Sequence, residues 1–137
     1  MRNLLWGVFF AFVAVALFTN WSPQLLQFNG MVGITRLVLI AVWVGFLVYS
    51  LYCSAHENIF RTIGGMSRLY WGRQVIFDLY ISVFLSVSVV YLVTGSIVQT
   101  LLWALAMIPF ANLAILLFLI LHLDTIFAAF ASAPALP

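Results

Sequence analysis

The sequence predicts an all-α protein, a four-helix transmembrane bundle with both termini on the cytoplasmic side (N-in/C-in). Of its 137 residues, 66% are hydrophobic and only 6% are charged, whereas soluble proteins carry about 25% charged residues. The apolar residues form continuous runs instead of alternating with polar residues, which argues against a β-barrel. A chain of this length accommodates three or four spanning helices of about 20 residues each. We therefore expect a single transmembrane domain over residues 1–137.

The first two spans are predicted at about residues 4–20 and 31–55. Ser22 and Pro23 interrupt the apolar sequence between them, and the second run is long enough to cross a bilayer with some tilt. Arg2, followed by an apolar stretch that contains Ala14-Val15-Ala16, would also suit a cleavable secretory signal. We favour a retained span over a signal peptide.

The third and fourth spans are predicted at about residues 74–94 and 99–123, joined by Gly95 and Ser96. The last apolar run continues to residue 130 and is too long for one straight span. Pro109 lies inside it and should kink the helix. Residues 131–137 are small residues and prolines, and we expect them to fray.

The polar loop between spans two and three sets the predicted orientation, because it contains Arg61, Arg68 and Arg73. Cytoplasmic loops of membrane proteins are enriched in Lys and Arg, so this loop should face the cytoplasm. The predicted location is a bacterial inner (cytoplasmic) membrane or an internal membrane derived from it. The three arginines are also candidates for docking anionic lipid headgroups or a partner subunit. The alternative is a solvated hairpin.

The ionisable residues are few: five arginines, three acidic residues and two histidines. A rise of about 1.5 Å per helical residue predicts that nine of these ten lie at the cytoplasmic level. Arg36 is predicted alone near the opposite face. The candidates at the cytoplasmic level that topology alone does not explain are His56, Asp78, His122 and Asp124.

Asp78 belongs to a polar ridge at four-residue spacing on the third span, formed by Gln74, Asp78, Ser82 and Ser86. A charge near the centre of a spanning helix costs about 2.5–3.5 kcal/mol, so the ridge should face the bundle. We expect an ion pair of Asp78 with Arg73 or Arg61. The alternative is a proton, ion or substrate pathway, whose buried charges would be Asp78, Arg36 and Asp124.

A second ridge, on span two, contains Tyr49, Tyr52 and His56. It could hold a planar cofactor or quinone, or it could be a packed interface. His122, predicted at the same depth as His56, extends this to ligation of haem or pigment. Two histidines are too few for a catalytic zinc site, so no metal site is predicted and no cofactor is required.

Catalytic signatures are scarce in the chain. It has no nucleophile motif, no phosphate-binding glycine-rich loop and no carboxylate pair at catalytic spacing. We therefore predict no catalytic residue and disfavour an enzyme, with a lipid-modifying activity left open. The single cysteine, Cys53, is expected to be a small buried hydrophobic residue. A net charge of +2 without a basic stripe argues against a nucleic-acid partner.

Residues 72–83, GRQVIFDLYISV, resemble a segment of small plant and bacterial polytopic membrane proteins of unknown function. The resemblance extends over the third and fourth segments. It depends on Asp78 opening a span, on Tyr80 and on the apolar spacing that follows. It implies a small polytopic protein and no particular activity.

The leading functional expectation is an accessory or scaffolding subunit of a larger membrane complex, packed beside lipid, quinone or pigment. Its partners would be membrane lipids and other membrane subunits or further copies of itself. One alternative is a small homo-oligomeric transporter or channel that uses Asp78 and Arg36. Another is a subunit that binds haem or pigment through His56 or His122.

Overall fold

The computed structural model describes residues 2–132, with Arg2 described by its backbone only, and this part of the chain is helical without strands. The predicted tail at 133–137 lies outside the described residues. Three helices, at Gly30–His56, Tyr70–Thr94 and Ile97–Ala131, are long and apolar enough to cross a membrane, and the first helix is shorter. The all-α prediction is thus confirmed. The helices are α1 (Arg2–Thr19), α2 (Gly30–His56), α3 (Ile59–Met66), α4 (Tyr70–Thr94) and α5 (Ile97–Ala131), with a 3-10 turn at Pro23–Leu26.

The connection between α4 and α5 is a tight turn that the local sequence specifies. Gly95 ends α4 in the left-handed conformation, with φ of +62°, and its N–H donates to the carbonyl of Tyr91. Glycine adopts this conformation without the penalty that a Cβ brings. The Ser96 side chain then accepts a hydrogen bond from the N–H of Gln99 and caps α5. The first residues of α5 consequently run back antiparallel to α4.

Helix α5 is folded back on itself at Ala111, whose backbone is non-helical with φ of 31° and ψ of −108°. The ring of Trp103 lies 5.1 Å from that of Phe118 and 6.3 Å from that of His122. Nineteen residues of straight helix would separate Trp103 from His122 by about 28 Å. The element is therefore a helical hairpin, with a first arm at residues 97–110 and a second arm at 112–131.

The predicted disturbance at Pro109 is confirmed in its position, but its consequence is a reversal of the chain. Proline lacks an N–H and its ring clashes with the preceding turn, so it opens the backbone hydrogen-bond ladder. Trp43 of α2 contacts the start of the second arm, since its Nε1–H donates to the Leu113 carbonyl at 2.9 Å. Phe110, at the tip, packs 4.6 Å from Phe9 and 6.2 Å from Trp6, measured between ring centroids. Protein therefore covers the Phe110 side of the break, whereas Pro109 and Asn112 are exposed.

Replacing Trp43 with Phe should destabilise the fold by about 1 kcal/mol, because Phe fills most of the space but loses the hydrogen bond from the indole N–H to the Leu113 carbonyl. The measurement is the midpoint of unfolding in mild detergent micelles. Trp71→Phe is the matched control, since Trp71 is 80% exposed at the start of α4. Equal stability of the two variants would show that the Trp43 hydrogen bond does not hold the hairpin.

The second arm of α5 forms the centre of the bundle. Its buried residues Leu113, Ala114, Leu117, Phe118 and Leu121 form one core cluster with side chains from the other helices. Helix α1 adds Phe9, Val13 and Ala16, and α4 adds Val83 and Val90. Helix α4 packs mainly against α5, with a smaller contact to α3. Most of its surface is consequently left exposed.

The two ends of the bundle are identified by two polar contacts. At one, here called the α3 end, the Trp6 indole N–H donates to the Ser54 hydroxyl at 2.8 Å and joins the start of α1 to the end of α2. At the other, here called the Arg36 end, Arg36 near the start of α2 pairs with Asp124 near the end of α5. The described chain begins at the α3 end and finishes at the Arg36 end. The second arm of α5 reverses direction, so the first and last described residues lie at opposite ends of the bundle. The N-in/C-in topology stays a prediction.

Candidate functional site

The most deeply buried charged residue of the described chain is Arg36, which is only 1% exposed. One terminal nitrogen, Nη2, lies 2.5 Å from Oδ2 of Asp124. The other, Nη1, donates to the backbone carbonyls of Gln24 and Gln27, the second at 3.2 Å. The Nε–H has no hydrogen-bond partner among the described residues. The guanidinium thus ties α2, α5 and the connection between α1 and α2 to one another.

Asp124 differs from Arg36 in its surroundings, because its side chain remains 38% exposed. A carboxylate in this position neutralises the buried guanidinium while its free edge reaches the surface. Burying both partners of an ion pair costs several kcal/mol per ion, and a partly exposed acid reduces that cost. The arrangement is suited to fastening the second arm of α5 to the start of α2.

The carbonyls that bind Arg36 are positioned by a close backbone approach at Gly33. A Cβ at Gly33 would lie 2.2 Å from the carbonyl carbon of Phe28 and 2.6 Å from its Cα. Only glycine lets residues 22–29 fold this tightly against α2. In that position the carbonyls of Gln24 and Gln27 face the guanidinium.

Gly33→Ala should accordingly push the connection away from α2 and weaken the carbonyl contacts of Arg36, lowering stability by about 1–3 kcal/mol. Gly45→Ala is the matched control: it lies in the same helix, and its added Cβ meets nothing within 4 Å. Alanine has the higher helix propensity, by about 1 kcal/mol, so the control should be neutral or stabilising. Thermal unfolding of both variants measures the difference, and equal effects would contradict this account of Gly33.

The structure corrects the predicted distribution of charge. Arg36 was expected alone at one face, with Asp124 and His122 at the other, yet Arg36 and Asp124 are paired. His122 precedes Asp124 by half a turn, so it also lies towards the Arg36 end. The error arose from treating α5 as one crossing, since the reversal at Ala111 returns its last 20 residues to the level from which the helix began.

The two histidines proposed as joint ligands lie at opposite ends of the bundle. His56 ends α2 and follows Arg36 by twenty positions, which correspond to about 30 Å of helix. His122 stacks on Phe118 at 4.2 Å, and its Nδ1 lies 3.1 Å from the Phe118 carbonyl. A single haem bridging His56 and His122 is therefore incompatible with this fold.

The tyrosine ridge of α2 faces outwards. Tyr49 and Tyr52 are 63% and 60% exposed, and the Tyr52 ring lies against His56 with centroids 4.3 Å apart. A separate open groove of about 410 Å³ runs between α1 and α2, lined by Asn3, Trp6, Gly7, Phe10, Leu51, Ser54 and Ala55. The predicted cofactor ridge does not line that groove.

Within residues 2–132, no three His, Cys, Asp or Glu side chains lie together as a set of metal ligands.

Asp78 is exposed, which corrects the prediction that its ridge faces the bundle. Helix α4 packs through Val83 and Val90, and at about 100° per residue Asp78 lies roughly 140° from Val83 around the helix. Apolar packing of α4 on α5 therefore turns the carboxylate outwards. Arg73 lies over the Tyr70 ring at 4.7 Å, and no described side chain forms an ion pair with Asp78.

The basic residues predicted as a docking surface, Arg61, Arg68 and Arg73, are all exposed near the α3 end. Glu57 accepts a hydrogen bond from the Thr62 hydroxyl at 3.1 Å, and no described carboxylate forms an ion pair with these arginines.

Cys53 is exposed as well, which corrects its expected burial. Helix α2 turns this part of its surface away from the core.

No protein family, curated protein or solved structure matches the chain.

Sequence reasoning missed the two contacts that organise the bundle. Pairing of Arg36 with Asp124 had a possible signal, because each is a charge embedded in an apolar helix and needs a counter-charge. The hydrogen bond from Trp43 to Leu113 had none, since Trp43 was one of many aromatic residues in apolar sequence. Both depend on the fold of α5.

Proposed function

We propose that this chain is a small integral membrane protein that acts as an accessory or scaffolding subunit of a larger membrane complex. The observation that supports this most directly is the outward position of Asp78 in the apolar surface of α4. Carboxylates within spanning segments almost always face protein or water. A subunit whose carboxylate is covered on assembly meets that requirement, whereas a free monomer exposes it to lipid.

The surroundings of Asp78 support a position within the hydrocarbon. Its neighbours Phe77, Ile81 and Leu85 are 72%, 58% and 60% exposed. Tyr70 and Trp71 at the start of α4 are 85% and 80% exposed, as aromatic residues at a membrane interface are. Asp78 follows Tyr70 by eight residues, which is about 12 Å of helix.

The geometry gives less support to the transporter and haem alternatives. Arg36 is buried and neutralised by Asp124, and it lies at the end of the bundle opposite to the α3 end, near which Asp78 is located. A transport pathway that uses both Asp78 and Arg36 would have to connect two charges at opposite ends of the bundle. At the backbone break of α5, Phe110 packs against the rings of Trp6 and Phe9, so aromatic side chains fill this side of the break.

We also propose that the α3 end faces the cytoplasm of a bacterial inner membrane or a derived internal membrane. The support is the position of Arg61, Arg68 and Arg73, which are all exposed near this end. Positive charge flanking spanning helices is retained on the cytoplasmic side. In this orientation these arginines can contact anionic headgroups or a partner's soluble loop.

The test is extraction of the native membrane in a mild detergent, followed by size separation with detection of this chain. We expect it to elute with other membrane polypeptides, at a mass well above that of a 15.4 kDa chain in its micelle. Strong ionic detergent should release it and provides the reference position of the monomer. Elution only at that monomer position in mild detergent would contradict the proposal.

A further inference from the structure

The outward face of α4 carries a polar stripe in an otherwise apolar surface. Gln74, Asp78 and Ser82 are exposed and Ser86 is half-buried, so the stripe extends about 18 Å along the helix. The hydroxyls of Ser82 and Ser86 donate to carbonyls one turn earlier, at 3.1 and 2.8 Å. Their hydrogen-bonding needs are thus met within α4. The carboxylate of Asp78 has no partner among the described side chains.

The shape of the stripe suits a second helix. Serine is among the small residues that let two spanning helices approach closely. On the same stripe, Asp78 supplies one negative charge about 12 Å beyond the start of α4. A helix packed along Ser82 and Ser86 would therefore place its own side chains over this carboxylate.

We propose that this stripe is the docking face for a transmembrane helix of a different protein, one that carries a lysine or arginine at the depth of Asp78. The inference rests on the proposed function, because it names the partner of an accessory subunit. Charge complementarity selects the occupant: the face has one unpaired anion and no cation, so a basic residue removes the cost of exposing a carboxylate to lipid.

A second copy of the chain does not supply that cation. Copies inserted in the same orientation carry the same residues at the same depth, and Arg61, Arg68 and Arg73 all precede Asp78 by at least five residues. Long basic side chains extend towards the interface and not towards the bilayer centre. Arg36 is engaged with Asp124 at the other end of the bundle. Parallel self-association along this stripe would instead bring two Asp78 carboxylates together.

The test uses a synthetic leucine-alanine transmembrane helix with one lysine about 12 Å from the matching end, and an otherwise identical helix with leucine there. The full chain is labelled with a fluorescence donor on its single, exposed Cys53 and reconstituted in phosphatidylcholine vesicles with acceptor-labelled peptide. We expect energy transfer to show about ten-fold tighter association of the lysine peptide. Asp78→Asn should abolish the preference and Asp78→Glu should retain it.

Glu57→Gln is the matched control for loss of one negative charge, because Glu57 is exposed between α2 and α3. It should leave the preference unchanged. Equal association of both peptides with the wild-type chain would overturn the inference. So would Asp78-dependent energy transfer between copies of the chain, because it would make a second copy the occupant. Either result can occur while the native complex is still recovered in mild detergent, so failure here is distinct from failure of the proposed function.

Discussion

Replacing Asp124 with Asn is expected to destabilise the protein by about 3 kcal/mol, the largest effect of a single near-isosteric substitution in this chain. Asparagine retains the shape of the side chain and removes its charge. The Arg36 guanidinium, 1% exposed, then remains charged without its counter-ion. Loss of one partner from a buried ion pair costs about 3–5 kcal/mol. The lower end applies because two backbone carbonyls still accept from Arg36.

Replacing the arginine of this ion pair should lower the stability much less than replacing the aspartate. Arg36→Met removes the buried charge, and the remaining Asp124 carboxylate, 38% exposed, can be hydrated. We expect a loss of about 1 kcal/mol. In the double variant, Arg36→Met with Asp124→Asn, the stability lost through Asp124→Asn should largely return. Unfolding in micelles of increasing dodecyl sulfate content, followed by tryptophan fluorescence, measures all three. Additive effects in the double variant would show that the two residues do not depend on each other.

The class of the fold could be predicted from composition and periodicity, because they constrain it strongly. A chain with continuous apolar runs and 6% charge has few options in which its backbone groups are satisfied, and helices satisfy theirs internally. Gly95, Ser96 and Pro109 are local signals whose effects act within one or two turns. They correctly indicated where α4 ends, where α5 begins and where α5 is interrupted.

The path of α5 could not be predicted in the same way. A proline specifies that the helical ladder opens, but the angle after it depends on what packs on the two sides. Here Phe9 and Trp43 hold the tip, through ring contacts with Phe110 and a hydrogen bond to Leu113. These are contacts between residues far apart in the chain. The predicted depths of all residues after 110 assumed a helix that does not reverse. His122 and Asp124 were therefore placed at the end of the bundle opposite to Arg36.

The predicted orientation of Asp78 was wrong for a related reason. The spacing of Gln74, Asp78, Ser82 and Ser86 correctly identified one face of α4, but not the direction of that face. The ridge was expected inside because a charge that faces lipid is costly. The valines at 83 and 90 select the buried face instead. A polar ridge on the outer face of a spanning helix favours a partner that covers it.

The reversal of α5 is expected to give a short distance between spin labels at Leu102 and Thr125, both exposed positions. In a straight helix the 23 residue steps from Leu102 to Thr125 would separate the two backbones by about 34 Å. Packed helices have axes about 8–10 Å apart, so the hairpin should reduce the measured distance to roughly half the straight-helix value or less. Cys53 is exposed and is replaced by Ser beforehand. Labels at Phe77 and Leu92 provide the straight-helix control on α4, at about 22 Å.

Ala111 allows the same conclusion to be tested through stability, because it is the only described non-glycine residue with positive φ. A residue with a Cβ in such a conformation bears about 1–3 kcal/mol of strain, which Gly relieves. Ala111→Gly should therefore stabilise the protein, although glycine lowers stability by about 1 kcal/mol in an ordinary helix interior. Ala104→Gly, in the first arm of the hairpin, is the control that should destabilise. If both glycines destabilise and the labels remain near the straight-helix distance, α5 crosses without reversing, and Arg36 and Asp124 are not partners.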